Sequence, residues 1–215
     1  MNPKHPLSTI TIYRLVASFI LAISIYSCAN MSRPGGGPRD ETPPVFIKSM
    51  PVPNALNVSK QKVEIEFDEI IQVDKPSEKV IVSPPQKDMP EIRTSGRKIT
   101  VILKDSLLPN TTYTIDFSDA IIDNNERNPL YGFAYSFSTG PKIDSLQVSG
   151  ILLNARDLEP ITGMLVGLHS DLEDSAFQKL PLERIASSDE LGHFTIRNVT
   201  PGKYEIRSCS FLSDV

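Results

Sequence analysis

The chain is expected to fold as an all-β protein of two consecutive antiparallel β-sandwiches, and three observations predict it. Apolar residues recur at every second position over four stretches between residues 42 and 140, the pattern of strands with one buried face. Clusters of Pro, Gly, Asn and Asp punctuate those stretches at short intervals, and no convincing helical periodicity lies between them. Eighteen prolines against eleven glycines, with no tryptophan, fit many short strands separated by turns.

The first element precedes the sandwiches. Lys4 and Arg14 are followed by an apolar run over residues 15–25, and no acidic residue occurs before Asp40. That run has the length of a signal-peptide core and falls short of the ~20 residues a spanning helix needs. It ends in Ile25-Tyr26-Ser27-Cys28, which resembles a lipobox, the bacterial lipoprotein signal of an aliphatic residue, two small residues and a cysteine. Tyr26 departs from the usual small or branched residue. The resemblance implies a signal peptide over residues 1–27, cleavage before Cys28, and a diacylglyceryl group on the Cys28 sulfur. An uncleaved anchor, or a secreted chain in which Cys28 is incidental, fits less well. The run is short, a polar glycine-rich stretch follows at once, and one of only two cysteines falls where lipidation requires it. Buried acyl chains contribute ~0.8 kcal/mol per CH₂, so two or three of them hold a protein on a membrane where one does not.

Losing residues 1–27 removes Lys4 and Arg14 and no acid, taking the formal charge from −4 to −6. A mildly acidic chain lacks the clustered basic face that nucleic-acid phosphates require. Two cysteines make no disulfide framework, and Cys209 reads as a small buried hydrophobe. Residues 28–41 form a tether: Gly35 to Gly37 lie between prolines, without the preceding strand and following helix of a phosphate loop.

Within residues 42–140 the alternating strands are centred on Val63/Ile65/Phe67, Ile99/Val101/Leu103, Tyr113/Ile115/Phe117 and Phe133/Tyr135/Phe137. Shorter candidates cover residues 45–49 and 79–83. Turn residues separate them at 51–54, Pro84-Pro85, Ser95-Gly96, Pro109-Asn110 and 123–129. The motifs Pro-x-x-x-Ala-x-Asn-Val (51–58), Phe67-Asp68-Glu69, Leu-Pro-Asn-Thr-Thr-Tyr (108–113), the Asp/Asn-rich run 123–128 and Phe137-Ser138-Thr139 resemble a bacterial Ig-like domain of the kind found in envelope lipoproteins and S-layer proteins.

A second sandwich is expected over residues 146–215, with strands near 148–152, 164–168 and 182–187. Residues 189–204 read D-x-x-G-x-F-x-I-x-N-V-x-P-G-x-Y, which resembles the carboxypeptidase regulatory-like domain, a small prealbumin-like sandwich. The resemblance implies a turn at residues 189–192, a strand burying Phe194 and Ile196, and a next strand burying Tyr204 and Ile206. Such domains usually continue for another strand, so this one is expected to be incomplete at Val215. The first sandwich is then expected to fold alone and the second to be marginal.

No catalytic constellation is found. His5, His169 and His193 are isolated, and neither paired cysteines nor a nucleophile elbow occurs. Glu64, Glu66 and Asp68 fall on the polar face of a strand rather than forming an acid–base pair. Residues 123–126 have oxygen-rich side chains but lack the glycine and distal glutamate of an EF-hand, so a plain turn is the better reading. Among aromatics, Tyr131 and Tyr135 are weak substitutes for a sugar-stacking tryptophan, and alternation puts Tyr135 in the core.

The expected function is therefore non-catalytic, without cofactor or metal: a structural, spacer or adhesion module in the envelope of a Gram-negative bacterium, anchored to the outer membrane through Cys28. The alternative is an accessory module that binds glycans or peptides for an enzyme or transporter. Finally, Asp105-Ser106-Leu107, Asp144-Ser145-Leu146 and Asp174-Ser175-Ala176 each resemble the D-S/T-aliphatic acceptor of periplasmic O-glycosylation. That resemblance implies sugars on Ser106, Ser145 and Ser175; ordinary turn residues are the competing reading.

Overall fold

The computed structural model describes residues 10, 11, 13, 14, 16–19, 40–173 and 179–209. Cys28 and Ser175 lie outside them. The described residues before Arg39 are helical, and among the described residues no helix is long and apolar enough to cross a membrane.

From Asp40 onward the chain builds two sandwiches. The first uses strands β1 (Phe46–Met50), β2 (Lys62–Phe67), β3 (Ile71–Val73), β4 (Ile81–Ser83), β5 (Glu91–Ser95), β6 (Lys98–Ile102), β7 (Thr112–Asp116), β8 (Ile121–Asp123) and β9 (Ala134–Ser138). A single helical turn, Pro76–Lys79, precedes β4. One sheet runs β1-β2-β6-β5 and the other β4-β7-β9, with the short pair β3-β8 beside them, all antiparallel. Alternation does what the sequence indicates. Val63, Ile65, Ile99, Val101 and Phe67 turn inward from one sheet and meet Tyr113, Ile115, Tyr135 and Phe137 from the other. Tyr113 and Phe137 stack at 5.3 Å between ring centroids, a contact worth ~0.5–1.5 kcal/mol beyond area burial.

Polar positions on β2 face water. Glu66 lies 3.5 Å from both Lys48 and Lys98 and Glu64 lies 2.6 Å from Lys62, a charge ladder across three strands. Exposed pairs of this kind contribute at most ~1 kcal/mol each. β5 was not evident in the sequence because Glu91–Ser95 carries a single apolar residue, Ile92; its pairing with β6 comes from the two-residue Gly96-Arg97 turn, with Gly96 at φ 59°.

The second sandwich sets β10 (Leu146–Ile151) and β13 (His193–Val199) against the sheet β12-β11-β14, formed by Arg184–Ser187, Leu165–His169 and Glu205–Cys209 respectively. Its core is small: Val166, Leu168, Ala186, Phe194, Ile196 and Val199. The expected turn is present. Asp189 Oδ1 accepts from the amides of Leu191 (2.9 Å) and His193 (2.8 Å), and Gly192 adopts φ 76°. Phe194 and Ile196 are buried as expected, and Tyr204 packs partly against the core.

Two expectations fail here. Ile206 is 48% exposed rather than buried. It pairs with Leu168 and shares its core-facing side, but among the described residues β14 is an outer strand of a three-stranded sheet that faces two strands. Cys209, on the same strand, is a free thiol that is half-buried rather than enclosed. With so small a core, residues 146–215 alone should give no cooperative thermal transition by circular dichroism, whereas residues 42–140 alone should give one. A sharp, monomeric transition from the isolated C-terminal piece would contradict this.

Candidate functional site

The two sandwiches meet through a network of polar groups, with Ile81 of β4 buried on the same side as Ser83. Thr112 and Thr114 alternate with Tyr113 and Ile115, so the sequence places them on the solvent side of β7. Both are buried, at 1% and 4% exposure. Asp144, just ahead of β10, meets Thr112, and Asn198 of the second sandwich meets Thr114.

Asn198 holds this contact together. It sits in β13 at φ 56°, where the register against β10 shifts between Leu146 and Val148. The bulge turns its side chain out of the second sandwich. Its Oδ1 accepts from Thr114 Oγ1 (2.7 Å) and Ser136 Oγ (2.8 Å), and its Nδ2 donates to the Asp144 carbonyl (2.6 Å). Asp144 is held in turn by Thr112: its amide donates to Thr112 Oγ1 and its carboxylate accepts from that hydroxyl, both at 3.0 Å. Arg184, almost buried, donates from Nε to the Asn198 carbonyl (3.1 Å) and lies 3.7 Å from the Asp144 carboxylate. Ser83 Oγ of β4 accepts the Ile185 amide of β12 (3.1 Å). Each hydroxyl and amide here satisfies a group that burial would otherwise leave unpaired.

Beside this network lies an open groove of about 320 Å³, lined by Asn54, Asp144, Ser145, Gln147, Arg197 and Asn198 among others. The Arg197 Nε has no hydrogen-bond partner and lies 4.0 Å from Asp116. Burial pushes the Asp116 carboxyl up; the Ser118 amide and Arg197 offset this only in part. The groove therefore offers a guanidinium, three side-chain amides, a carboxylate and a hydroxyl, but neither a nucleophile–base pair nor an aromatic platform.

The serines fall as follows. Ser106 and Ser145 are exposed in irregular segments. Their preceding aspartates face inward: Asp105 accepts the Lys87 amide and, at 3.3 Å, the Asp88 amide, while Asp144 is fixed by Thr112. In both triplets the body of the protein holds the acid and leaves the hydroxyl in solvent. The structure does not bring Ser106 and Ser145 into one site.

The acid-rich segment 123–128 is a turn. Asp123 Oδ1 accepts from the amides of Asn125 (2.8 Å), Glu126 (2.7 Å) and Arg127 (3.2 Å), and Oδ2 from Asn128 (2.6 Å). Burial alone would raise this carboxyl, but the four amides together hold it below the ordinary range. Among the described residues no group of His, Cys, Asp and Glu is arranged to hold a metal ion. Tyr135 is core, as alternation predicted; it donates to the Pro51 carbonyl (2.9 Å), and burial pushes its hydroxyl up to about 12. Tyr131 is exposed.

Comparison with known proteins matches one part of the chain to a family model. Residues 40–139 match the model of the bacterial Ig-like domain. No curated protein matches the chain. Similar solved structures include an L,D-transpeptidase from Mycobacterium smegmatis, 13% identical over 76% of this chain and 79% of that one, with a TM-score of 0.32. The N-terminal part of the bacterial S-layer protein SbsC is 13% identical over 89% of this chain and 50% of that one, with a TM-score of 0.32. The T6 backbone pilin of serotype M6 Streptococcus pyogenes is 9% identical over 68% of this chain and 42% of that one, with a TM-score of 0.24.

Proposed function

We propose, starting from the bacterial Ig-like domain at residues 40–139, that the chain is a non-catalytic envelope lipoprotein whose two sandwiches act as one structural or adhesion module. The second sandwich is assigned to the carboxypeptidase regulatory-like type on the Asp189 to Tyr204 motif. The observation that carries the reading is the junction. Asn198, Asp144, Arg184 and Thr112 bury their polar groups against one another, which suits a spacer that must keep its two parts in register.

The anchor is the lipid on Cys28, in the outer membrane of a Gram-negative bacterium. Metabolic labelling with a fatty-acid analogue should mark the wild type and leave Cys28→Ala unlabelled and released from the membrane fraction. Equal labelling of the two would remove the anchor from this reading. Intact-mass spectrometry of the same native material tests the sugars on Ser106, Ser145 and Ser175. Sugar-sized additions lost on changing all three to alanine support them, and the mass of the lipidated polypeptide alone excludes them.

A second reading, an accessory module that binds a glycan or peptide, is favoured by the groove at Arg197, Asn54 and Gln147. It predicts chemical-shift changes confined to those residues when cell-wall glycans or peptides are titrated in.

A further inference from the structure

We propose that the groove beside the junction binds the free C-terminal carboxylate of a peptide, held by the Arg197 guanidinium. The inference rests on the accessory-module reading and names the ligand of that groove. A bulge builds the site. Leu146 of β10 stands opposite Val199 of β13 and Val148 opposite Ile196, so Arg197 and Asn198 together face the single residue Gln147. Ile196 and Val199 are both buried in the core of the second sandwich. The residues between them are therefore left on the outer side, with Gln147, whose neighbour Val148 packs on the core. The first sandwich supplies the other wall through Asn54. The Asn54 amide donates to the Ser136 carbonyl (2.8 Å), and the Ser136 hydroxyl donates to Asn198 Oδ1 (2.8 Å).

The side chains gathered there have hydrogen-bonding capacity to spare. Of the Arg197 guanidinium nitrogens only Nε is buried, and it lies 4.0 Å from Asp116, beyond hydrogen-bond reach. The side chain is 38% exposed, which leaves the terminal nitrogens open to the groove. Among the described residues none of these nitrogens takes a hydrogen bond, nor do the side-chain amides of Asn54 and Gln147. The carboxylates nearby are occupied. Asp144 accepts from Thr112 (3.0 Å) and lies 3.7 Å from Arg184. Asp116 Oδ1 accepts the Ser118 amide (2.8 Å), and burial pushes its carboxyl up, which makes it a weak counter-ion.

A carboxylate fits because the end of a guanidinium donates two parallel N–H bonds to its two oxygens, a charge-assisted pair. A peptide fits because side-chain amides both donate and accept, as main-chain amides do. Ile143 and Leu146, the latter 50% exposed, give the groove an aliphatic wall for the terminal side chain. A sugar calls for a stacking ring, and no aromatic residue lines this groove. Its volume of about 320 Å³ is near the lower end for ligand pockets, with room for a terminal pair of residues rather than a long chain.

The isotope-labelled full chain in mild detergent tests this by nuclear magnetic resonance. N-acetyl-alanyl-leucine with a free carboxylate should move the Arg197 Nε–H signal and the side-chain amide signals of Asn54 and Gln147. Its C-terminal amide, and the neutral sugar chitotriose, should leave them in place. Arg197→Gln should weaken binding of the free acid at least about tenfold, since a charge-assisted pair is lost. Gln147→Glu, at an exposed position, sets a carboxylate opposite Arg197 and should block the acid with the thermal midpoint unchanged. If the amide or the sugar moves the groove signals as strongly as the acid, the carboxylate is overturned and the accessory module stands. A groove that no probe moves removes both. An acid that binds equally well to the wild type and both variants overturns the role of Arg197, and the proposal with it.

Discussion

Replacing Asp123 by alanine should lower the unfolding free energy by about 3 kcal/mol, because four part-buried loop amides then lose a charged acceptor, each such bond being worth ~1.5–3 kcal/mol and not strictly additive. Asp123 is 1% exposed and its two oxygens take four amides of its own loop. The pH dependence follows from the same geometry. The folded carboxyl titrates below its ordinary range, so its contribution is complete above the unfolded value of ~3.9 and is lost as pH falls through the lower folded value. Urea titrations from neutral pH down to about pH 3 should show the wild type losing stability more steeply than Asp123→Ala in that window. Parallel profiles would show that the loop tolerates a neutral residue and that the carboxylate is not its anchor.

The second large effect is expected at Asn198. Alanine there removes the acceptor for Thr114 and Ser136 and the donor to Asp144. It also forces a residue with a Cβ, and no side-chain hydrogen bond, to hold φ 56°. Left-handed backbone costs ~1–2 kcal/mol and unsatisfied buried groups cost ~1–3 kcal/mol, so a loss of about 2–4 kcal/mol is expected. Glycine at the same position removes the bonds but not the backbone freedom, so Asn198→Gly should recover about 1 kcal/mol of the loss. The loss should also uncouple the sandwiches. Calorimetry of Asn198→Ala should show one transition of smaller enthalpy than the wild type's, belonging to the first sandwich, the second having dropped out of the cooperative unit. A variant that melts with the wild-type enthalpy and temperature would mean that the junction carries no coupling.

Much of the first sandwich was legible because its sheets bury one face and wet the other. Val63/Ile65/Phe67 and Ile99/Val101/Leu103 alternate with charges that do reach solvent, and the Asp/Asn run does close a turn. β3 and β8 were not legible, since three residues are too few to show a period. The burial of Thr112 and Thr114 was not legible either. Their hydroxyls read as a wetted face, and what meets them comes from Asp144 and Asn198, 32 and 84 positions later. The Asn198 bulge belongs to the same class. Its place in the N-V-x-P-G-x-Y motif was visible, but not that its amide would join two sandwiches.

By itself, then, the amino-acid sequence determined the local periods and the turns: which residues alternate in the longer strands, where Gly96 and Asp189 reverse the chain, and that the chain is all-β. These are set by side chains within a few positions of one another, so a linear pattern records them. Only the tertiary structure decided which polar residues are buried, that Ile206 is half-exposed, and that Asn198 joins the two sandwiches. Burial and contact depend on what packs from elsewhere in the chain, and a residue's own neighbours in sequence carry no record of that.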